Sequence, residues 1–224
     1  MEDIVLVDKP KGWTSFDVVG KIRSELRKTT GQKVKVGHAG TLDPLATGLL
    51  IVLIGKATKQ QDSFMKQVKV YEVTMKLGQT STTADEEGEK TDVSDEEPSD
   101  HEVYDALNSF VGTINQIPPA YSAIKINGQR AYKLARAGKE VTIEPRVVTI
   151  YSIDNMQYKY PFVSFTAKVS SGTYIRSLVT DIGHKLGVGA YMTNLRRISI
   201  GEYSVKDAVL PEQAITEVAI SRDT

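Results

Sequence analysis

Three apolar segments in the first third of the chain have the length and spacing of β-strands. Ile4–Val7 is a short apolar run, and Leu49–Ile54 is a continuous one, which predicts a buried strand. Val68–Leu77 alternates between two sets of positions. Tyr71 belongs to the more apolar set, so we expect it on the more apolar face of this strand.

Between the first two strands, apolar residues recur at helical spacing. The pattern predicts a helix that is capped by Thr14 or Ser15 and continues to about Lys28. Its apolar positions are Val18, Val19, Ile22 and Leu26. The glycine-rich residues 31–48 are predicted to form a loop, because Asp43 precedes a proline and the helical region is disfavoured there.

The second half of the chain alternates between predicted strands and helices. Residues 79–98 form an acidic loop, and a capping box of Ser99 with Glu102 opens a helix to about Val111. The remaining predicted elements are a strand at 120–126 before an Asn127-Gly128 turn, a short helix ending at Ala137 before Gly138, strands at 147–153 and 162–170, a helix at 174–186 and a strand at 198–205. Adjacent strands punctuated by helices favour an α+β fold with a largely antiparallel sheet.

The composition excludes several classes of protein. Among the 224 residues there is no cysteine, so disulfide bonds, cysteine nucleophiles and cysteine-ligated zinc are ruled out. The first residues show no basic leader with an apolar segment, and the longest apolar run, Leu49–Ile54, is far too short to span a bilayer. We therefore expect a soluble, cytoplasmic protein.

The charge is distributed unevenly along the chain. The formal net charge is zero, yet Asp85–Asp105 contains eleven acidic residues and one lysine, so the rest of the chain carries a net charge of +10. A basic body is compatible with an RNA-binding face. The acidic stretch itself fits a solvated loop.

Common catalytic motifs are missing from the sequence. Gly48–Lys56 ends like a phosphate-binding loop, but the glycine spacing is wrong and Ala57 stands where a hydroxyl group should bind magnesium. The three histidines are isolated from one another, which argues against a metal site. The sequence pairs no second carboxylate with Asp43, as a glycosidase would require. Any reaction is therefore expected to need neither a metal nor a cofactor.

One glycine-rich segment, residues 37–48, places the imidazole of His38 and the carboxylate of Asp43 on a single loop. Taken alone, it also fits an ordinary Asp-Pro turn. Taken in full, HAGTLDPLATGLL resembles the catalytic loop of the TruB family of tRNA pseudouridine synthases. Four more segments resemble this family in the same order, over roughly residues 4–204: DKPKGWTSFDVV, VKVYEVTMKLGQTSTTADEEGE, QIPPAYSAIKINGQRAYKLARAGKEV and SSGTYIRSLVTDIGHKLGVGAYMTNLRR.

The resemblance implies roles for three residues in catalysis. Asp43 matches the family's catalytic carboxylate, which acts on the ribose as a nucleophile or as a base. Arg176 matches the active-site arginine that keeps this carboxylate ionised and oriented. Tyr71 matches the tyrosine that stacks on the target base. On residue type alone, Arg176 would be an ordinary helix charge and Tyr71 a core residue.

The resemblance also implies residues that bind RNA. His38 matches the histidine that contacts the flipped T-loop nucleotides, and Tyr174 and Leu195 match further pocket positions. Without the family, these would be a turn histidine and packing residues. Basic residues that are candidates for phosphate contact, or else ordinary surface charges, are Lys9, Lys11, Arg130, Lys133, Arg196 and Arg197.

The resemblance further implies a fold and a reaction. The expected fold is the pseudouridine synthase fold, α+β, with a largely antiparallel mixed sheet flanked by helices and an active-site cleft across the sheet. We expect one catalytic domain over 1–224, with the acidic loop at about 80–98 and no separate C-terminal RNA-binding domain. The expected reaction is conversion of uridine 55 in the tRNA T-loop to pseudouridine, by a monomer that binds the T-stem-loop and flips the base. The alternatives are a non-catalytic tRNA-binding or tRNA-folding module and a synthase for another RNA.

Overall fold

The computed structural model of the protein describes residues 2–122, 124–126, 128–137 and 142–214. Short 3-10 turns at Lys56–Gln60 and Val205–Asp207 accompany the regular elements. In chain order, these elements are β1 (Glu2–Lys9), α1 (Ser15–Thr30), β2 (Val36–His38), β3 (Thr47–Gly55), α2 (Gln61–Met65), β4 (Lys69–Leu77), β5 (Gln79–Ser81), β6 (Lys90–Asp92), α3 (Asp100–Asn108), β7 (Gly112–Gln116), β8 (Lys125–Ile126), β9 (Gln129–Arg130), α4 (Ala131–Arg136), β10 (Arg146–Lys159), β11 (Phe162–Val169), α5 (Ile175–Leu186), β12 (Ala190–Ile200) and β13 (Tyr203–Ser204).

These elements form two compact units. The split unit contains the residues up to Glu72 and those from Leu195 on, and the inserted unit contains Val73–Asn194. The chain therefore leaves the split unit within β4 and returns to it within β12. Each unit combines helices with β-sheet, which confirms the predicted α+β class. In the described ranges, no helix has both the length and the apolar character needed to cross a bilayer.

The sheet of the split unit is built around β3. Strand β1 runs antiparallel to it, from Glu2 opposite Gly55 to Lys9 opposite Gly48. Strand β2 is also antiparallel to β3, whereas β12 is parallel to it, with Arg196 opposite Thr47. Strand β13 forms an antiparallel hairpin with the end of β12. The sheet is therefore mixed and mostly antiparallel, as predicted.

Strand β3 is buried on both faces, which explains its continuous apolar sequence. Its two sets of side chains lie in different hydrophobic clusters, and burial of each such side chain contributes roughly 1.5–3 kcal/mol. One cluster joins Leu50, Val52 and Ile54 to Val5, Val7, Val18, Val19, Ile22 and Leu26. The other joins Leu49, Ile51 and Leu53 to Ala39, Ala57, Phe64 and Ile200.

Helix α1 begins and ends at the signals present in its sequence. Thr14 caps the helix in a reciprocal capping box with Asp17, and Gly31 ends it in the left-handed conformation with φ 69°. The residues predicted to lie on its apolar face are buried, and they belong to the first of the two clusters. The predicted helix is confirmed, and Thr14 rather than Ser15 is its cap.

In the inserted unit, β10 pairs antiparallel with β7 on one side and with β11 on the other. Helix α3 begins at the predicted capping box of Ser99 with Glu102, and α5 ends at Gly187. Strand β11 and the helices α3 and α5 were predicted within a few residues, whereas β7 was not predicted and β10 continues to Lys159 rather than ending at 153. In β4, Tyr71 lies on the buried face with Val73, Met75 and Leu77, also as predicted.

Three further predicted elements differ from the structure, and the predicted loop at 31–48 contains strand β2. Strand β12 begins at Ala190 rather than at 198. Arg196 and Arg197 interrupt its apolar pattern, but they do not end the strand, because their side chains bond to protein atoms. The acidic loop contains a short hairpin of β5 and β6, with Gln79 opposite Asp92. Residues 120–122 and Ile124 are not in a strand. Asn127 and Gly138, which were predicted to form a turn and a helix stop, lie outside the described residues.

Candidate functional site

Asp43 lies at a tight turn in the loop between β2 and β3, within the split unit. The amide of Ala46 donates to the carbonyl oxygen of Asp43 at 3.0 Å, so residues 43–46 close a hydrogen-bonded turn. Pro44 occupies its second position, where the fixed φ of proline favours the turn. Leu42, Leu45 and Ala46 are buried, whereas Asp43 is partly exposed. Core packing therefore anchors the turn on both sides of the partly exposed Asp43.

The backbone on each side of Asp43 is bonded to the segment that leads into α1. The hydroxyl of Ser15 accepts from the amide of Leu42 at 2.8 Å and donates to the Leu42 carbonyl at 3.1 Å. The amide of Gly12 donates to the carbonyl of Pro44 at 2.8 Å. The residues directly before and after Asp43 are thus both fixed, which limits the positions that its carboxylate can adopt.

Lys9 lies beneath this turn and has no solvent-accessible surface. Its ammonium group donates to the carbonyl oxygens of Pro10 at 2.9 Å and Trp13 at 2.6 Å, with a longer contact of 3.5 Å to that of Pro44. Burial lowers the pKa of Lys9 to about 8, and the negative charge of Asp43 opposes this decrease. The prediction that Lys9 contacts RNA phosphate does not agree with this position, because the ammonium group is enclosed by protein. Lys9 instead supports the Asp43 turn.

Replacing Lys9 with methionine is expected to lower the free energy of unfolding by about 2 kcal/mol near pH 7, because three carbonyl oxygens lose their donor. The difference between wild type and variant should also depend on pH. The pKa of Lys9 is about 8 when folded and 10.5 ordinarily, so the unfolded chain binds more protons between these values. The stability of the wild type relative to the variant should be level below pH 8 and rise above it by at most about 1.4 kcal/mol per pH unit.

Urea denaturation near pH 7 and near pH 9.5 measures both effects. Lys11→Met is the matched control, because Lys11 is exposed, and it should change neither the stability nor its pH dependence. A stability difference that stays the same at both pH values would show that Lys9 titrates normally.

Two arginines of β12 also bond to protein groups, and one of them is buried. Arg197 is 1% exposed, and it donates to the carbonyls of Leu49 at 2.7 Å and Gly40 at 2.9 Å. Arg196 binds both carboxylate oxygens of Asp8, at 3.0 and 2.7 Å, and this pairing raises its pKa. The predicted phosphate contact of Arg197 is therefore wrong, because its side chain is buried. For Arg196, a phosphate would have to compete with the existing ion pair to Asp8.

Gly48 shows why the loop needs glycine beside Arg197. Its φ is +99°, a conformation that L side chains rarely adopt, and an added Cβ would lie 2.3 Å from the carbonyl oxygen of Arg197. A side chain there would separate β3 from β12 at their parallel pairing. The Asp43 loop is consequently held at one end by Gly40 and at the other by the strand pair.

His38 is the last residue of β2 and lies at the start of the same loop. Its carbonyl accepts from the side-chain amide of Gln61 at 3.0 Å, and its ring meets that of Phe16 edge to face, with centroids 6.2 Å apart. Burial, and secondarily the charge of Arg197, lowers the pKa of His38, so the imidazole is neutral near pH 7. Its Nδ1 atom is buried and bonds to no partner within the described part of the chain.

The remaining residues predicted to bind RNA or line the pocket differ in their exposure to solvent. Tyr71 is 8% exposed and Leu195 is 7% exposed, so both are mostly covered, in agreement with a packing role as well as with a pocket wall. Tyr174, directly before α5, exchanges two hydrogen bonds with Gln116: its amide donates at 2.8 Å, and its carbonyl accepts at 3.1 Å. Arg130 and Lys133 are exposed, as a phosphate contact requires.

Arg176 lies in the first turn of α5, in the inserted unit, and is 6% exposed. Its guanidinium donates to the carbonyls of Thr83 at 3.1 Å and Tyr121 at 2.8 Å, and it forms an ion pair with Asp85 at 3.5 Å. Asp85 also accepts from the hydroxyl of Thr83 and from the amide of Glu87. Arg176 is thus not a solvated helix charge but part of a buried, hydrogen-bonded ion pair.

Asp85 was missed as a site residue in the sequence, where it is the first member of the acidic run. Of the eleven acidic residues at 85–105, all of which the structure describes, Asp85 alone is buried, at 4% exposed. The residue before it, Ala84, has φ 61°, and this left-handed conformation costs about 1–2 kcal/mol. Thr83 two positions earlier offered a sequence signal, because a hydroxyl at that spacing can bond the carboxylate locally.

The comparisons with known proteins agree with these features. The family model for the N-terminal domain of TruB family pseudouridylate synthases matches residues 27–175, and that for the C-terminal domain of tRNA pseudouridylate synthase B matches residues 176–223. Two similar relatives are both called tRNA pseudouridine synthase B. The protein of Clostridium acetobutylicum is 46% identical over 100% of this chain and 77% of its own length. That of Parabacteroides distasonis is 46% identical over 94% of this chain and 91% of its own length.

A solved structure shows the same fold. A crystal structure of a Cbf5-Nop10-Gar1 complex contains a chain that matches with a TM-score of 0.71 and 27% identity. The match covers 98% of this chain and 55% of the matched one. The predicted pseudouridine synthase fold is therefore confirmed, while the single domain over 1–224 stays a prediction. By sequence and by fold, the chain belongs to the TruB family of pseudouridine synthases.

Proposed function

We propose that this protein converts uridine 55 in the T-loop of tRNA to pseudouridine. The observation that carries the proposal is the identity of 46% to proteins called tRNA pseudouridine synthase B, extending over nearly the whole chain. The fixed turn at Asp43 supports it, because the family's catalytic aspartate falls on a carboxylate whose neighbours on both sides are hydrogen-bonded. Such preorganisation is what an oriented nucleophile or base needs.

The reaction rearranges one nucleotide without adding or removing an atom. The glycosidic bond from N1 to C1′ breaks, the uracil turns, and C5 bonds to C1′. The proton on C5 is lost, and N1 gains one. Asp43 acts on the ribose in this sequence, either as a nucleophile at carbon or as a base. The base reaches the carboxylate only when it is flipped out of the folded loop.

The other site residues have supporting roles in the proposal. Arg176, held by Asp85 in a buried ion pair, is the active-site cation, and Tyr71 stacks on the target base. Tyr174 and Leu195 complete the pocket, and His38 contacts flipped T-loop nucleotides. Arg130, together with Lys11 and Lys133, is exposed and remains a candidate for phosphate contact. The enzyme acts as a cytoplasmic monomer without a metal ion or cofactor.

An unmodified tRNA transcript tests the function directly. Incubation with the protein, followed by chemical mapping of pseudouridine, should give one modified position, nucleotide 55. A transcript with cytidine at that position is the control and should stay unmodified. Binding without modification would favour the non-catalytic tRNA-binding module, and modification elsewhere would identify a synthase for another site.

A further inference from the structure

The aromatic ring of Phe16 is exposed and lies outside the hydrophobic core. It lies in the first turn of α1 and is 71% exposed, more than any other large hydrophobic side chain except the equally exposed Val147 among those the structure describes. The hydrophobic cluster under α1 is formed by Val18, Val19, Ile22 and Leu26, and it does not include Phe16. An exposed phenylalanine that adds nothing to core packing is suited to bind another molecule.

Two contacts place Phe16 beside the Asp43 loop. The preceding residue, Ser15, is bonded through its hydroxyl to both backbone groups of Leu42, the residue before Asp43. The ring of Phe16 meets the ring of His38 at an interplanar angle of 83°. This edge-to-face contact uses at most one face of the phenylalanine ring. Phe16 thus offers a free aromatic face next to the loop that carries Asp43 and His38.

The local charge indicates which part of a nucleic acid this face accepts. Asp17 is exposed, and hydrogen bonds to Thr14 lower its pKa, so it carries a negative charge next to Phe16. A carboxylate repels phosphate, and the neighbouring imidazole of His38 adds no positive charge near pH 7. An uncharged ring face in this setting suits a nucleobase rather than the RNA backbone.

We infer that the exposed face of Phe16 is a stacking site for one unpaired nucleobase of the substrate loop, other than the base that reacts. The inference rests on the proposed function, because it takes the bound RNA to be the T-loop. According to this inference, Phe16 contributes to the affinity for RNA but does not affect the rate of the chemical step. The ring orders a loop base through its π-face while Asp43 acts on the neighbouring uridine.

Substitutions at Phe16 distinguish stacking from simple apolar cover. With a T-stem-loop RNA, Phe16→Ala should raise KM on the order of 5- to 100-fold and change kcat less than about twofold, since one base stack is lost. Phe16→Trp and Phe16→Tyr should keep the wild-type KM, whereas Phe16→Leu should behave like alanine. The melting temperature should not change, because the side chain is mostly exposed. Phe162→Ala, which removes another exposed phenylalanine, is the matched control and should leave KM unaltered.

A set of stem-loops that each lack one loop base identifies the stacked nucleotide. At a single loop position, removing the base should weaken binding to the wild type but have little further effect on Phe16→Ala. If no position shows this coupling, or if Phe16→Ala has the wild-type KM, the stacking site is refuted. If the wild type forms no pseudouridine in any T-loop RNA, the proposed function itself fails instead.

Discussion

Replacing Asp43 with asparagine is expected to abolish pseudouridine formation and to leave RNA binding nearly unchanged. Asparagine has the same shape, so the turn closed by Ala46 and the bonds of Ser15 and Gly12 to the flanking backbone should persist. The amide can act neither as a nucleophile nor as a base. We expect kcat to fall by at least about 10⁴-fold, as for the loss of a reacting group in other enzymes. The Kd for a T-stem-loop should stay within about threefold.

A single-turnover assay with excess enzyme measures the rate of the chemical step, and filter binding measures the affinity. Asp207→Asn is the matched control, because Asp207 is an exposed carboxylate of the same unit, and it should retain full activity. Turnover by Asp43→Asn within tenfold of the wild-type rate would remove Asp43 from the reaction.

Replacing Asp85 with asparagine is expected to have the second largest effect. The guanidinium of Arg176 would keep its hydrogen bonds to the carbonyls of Thr83 and Tyr121 but lose its ion pair with Asp85. Removing one member of a buried ion pair is strongly destabilising, so the free energy of unfolding should fall by about 3 kcal/mol. If Arg176 is the active-site cation, a small displacement of its side chain should lower kcat on the order of 10²-fold, with KM little changed.

The comparison must be made at a temperature at which both proteins are folded, checked by circular dichroism. Asp95→Asn removes an exposed carboxylate from the same acidic segment and should alter neither stability nor kcat. A loss of stability without a loss of kcat would show that the ion pair of Asp85 and Arg176 is only structural.

The parts of the fold that could be predicted are those with local causes. Strand β3 follows from its apolar run, and α1 follows from its periodicity, from the Thr14 cap and from Gly31. In these segments, the residue type at each position agrees with the local structure that forms there, whether buried strand, helix, helix cap or helix end. The Asp43 loop was singled out for a different reason, namely that its residues resemble a known family, and its catalytic role stays a prediction.

The parts that could not be predicted depend on distant partners. Arg197 looks like a surface charge in the sequence, yet it is buried because the backbone carbonyls of Leu49 and Gly40 accept its hydrogen bonds. Asp85 looks like one more residue of a solvated acidic run until Arg176 is placed beside it. Propensity and periodicity describe a residue's own segment, and they do not describe a partner that is far away in the chain.

The dependence of the Asp43 loop on Arg197 has a consequence for how the protein matures. The two carbonyls that Arg197 binds lie 148 and 157 positions earlier in the chain, and the whole inserted unit is synthesised in between. Closing contacts of such long range is slow, because the entropy of a long loop is lost before the contact forms. A nascent chain therefore carries Asp43 from an early stage, before the support of its loop is complete. That support is completed late, when the chain returns to the split unit and Arg197 reaches the carbonyls of Leu49 and Gly40.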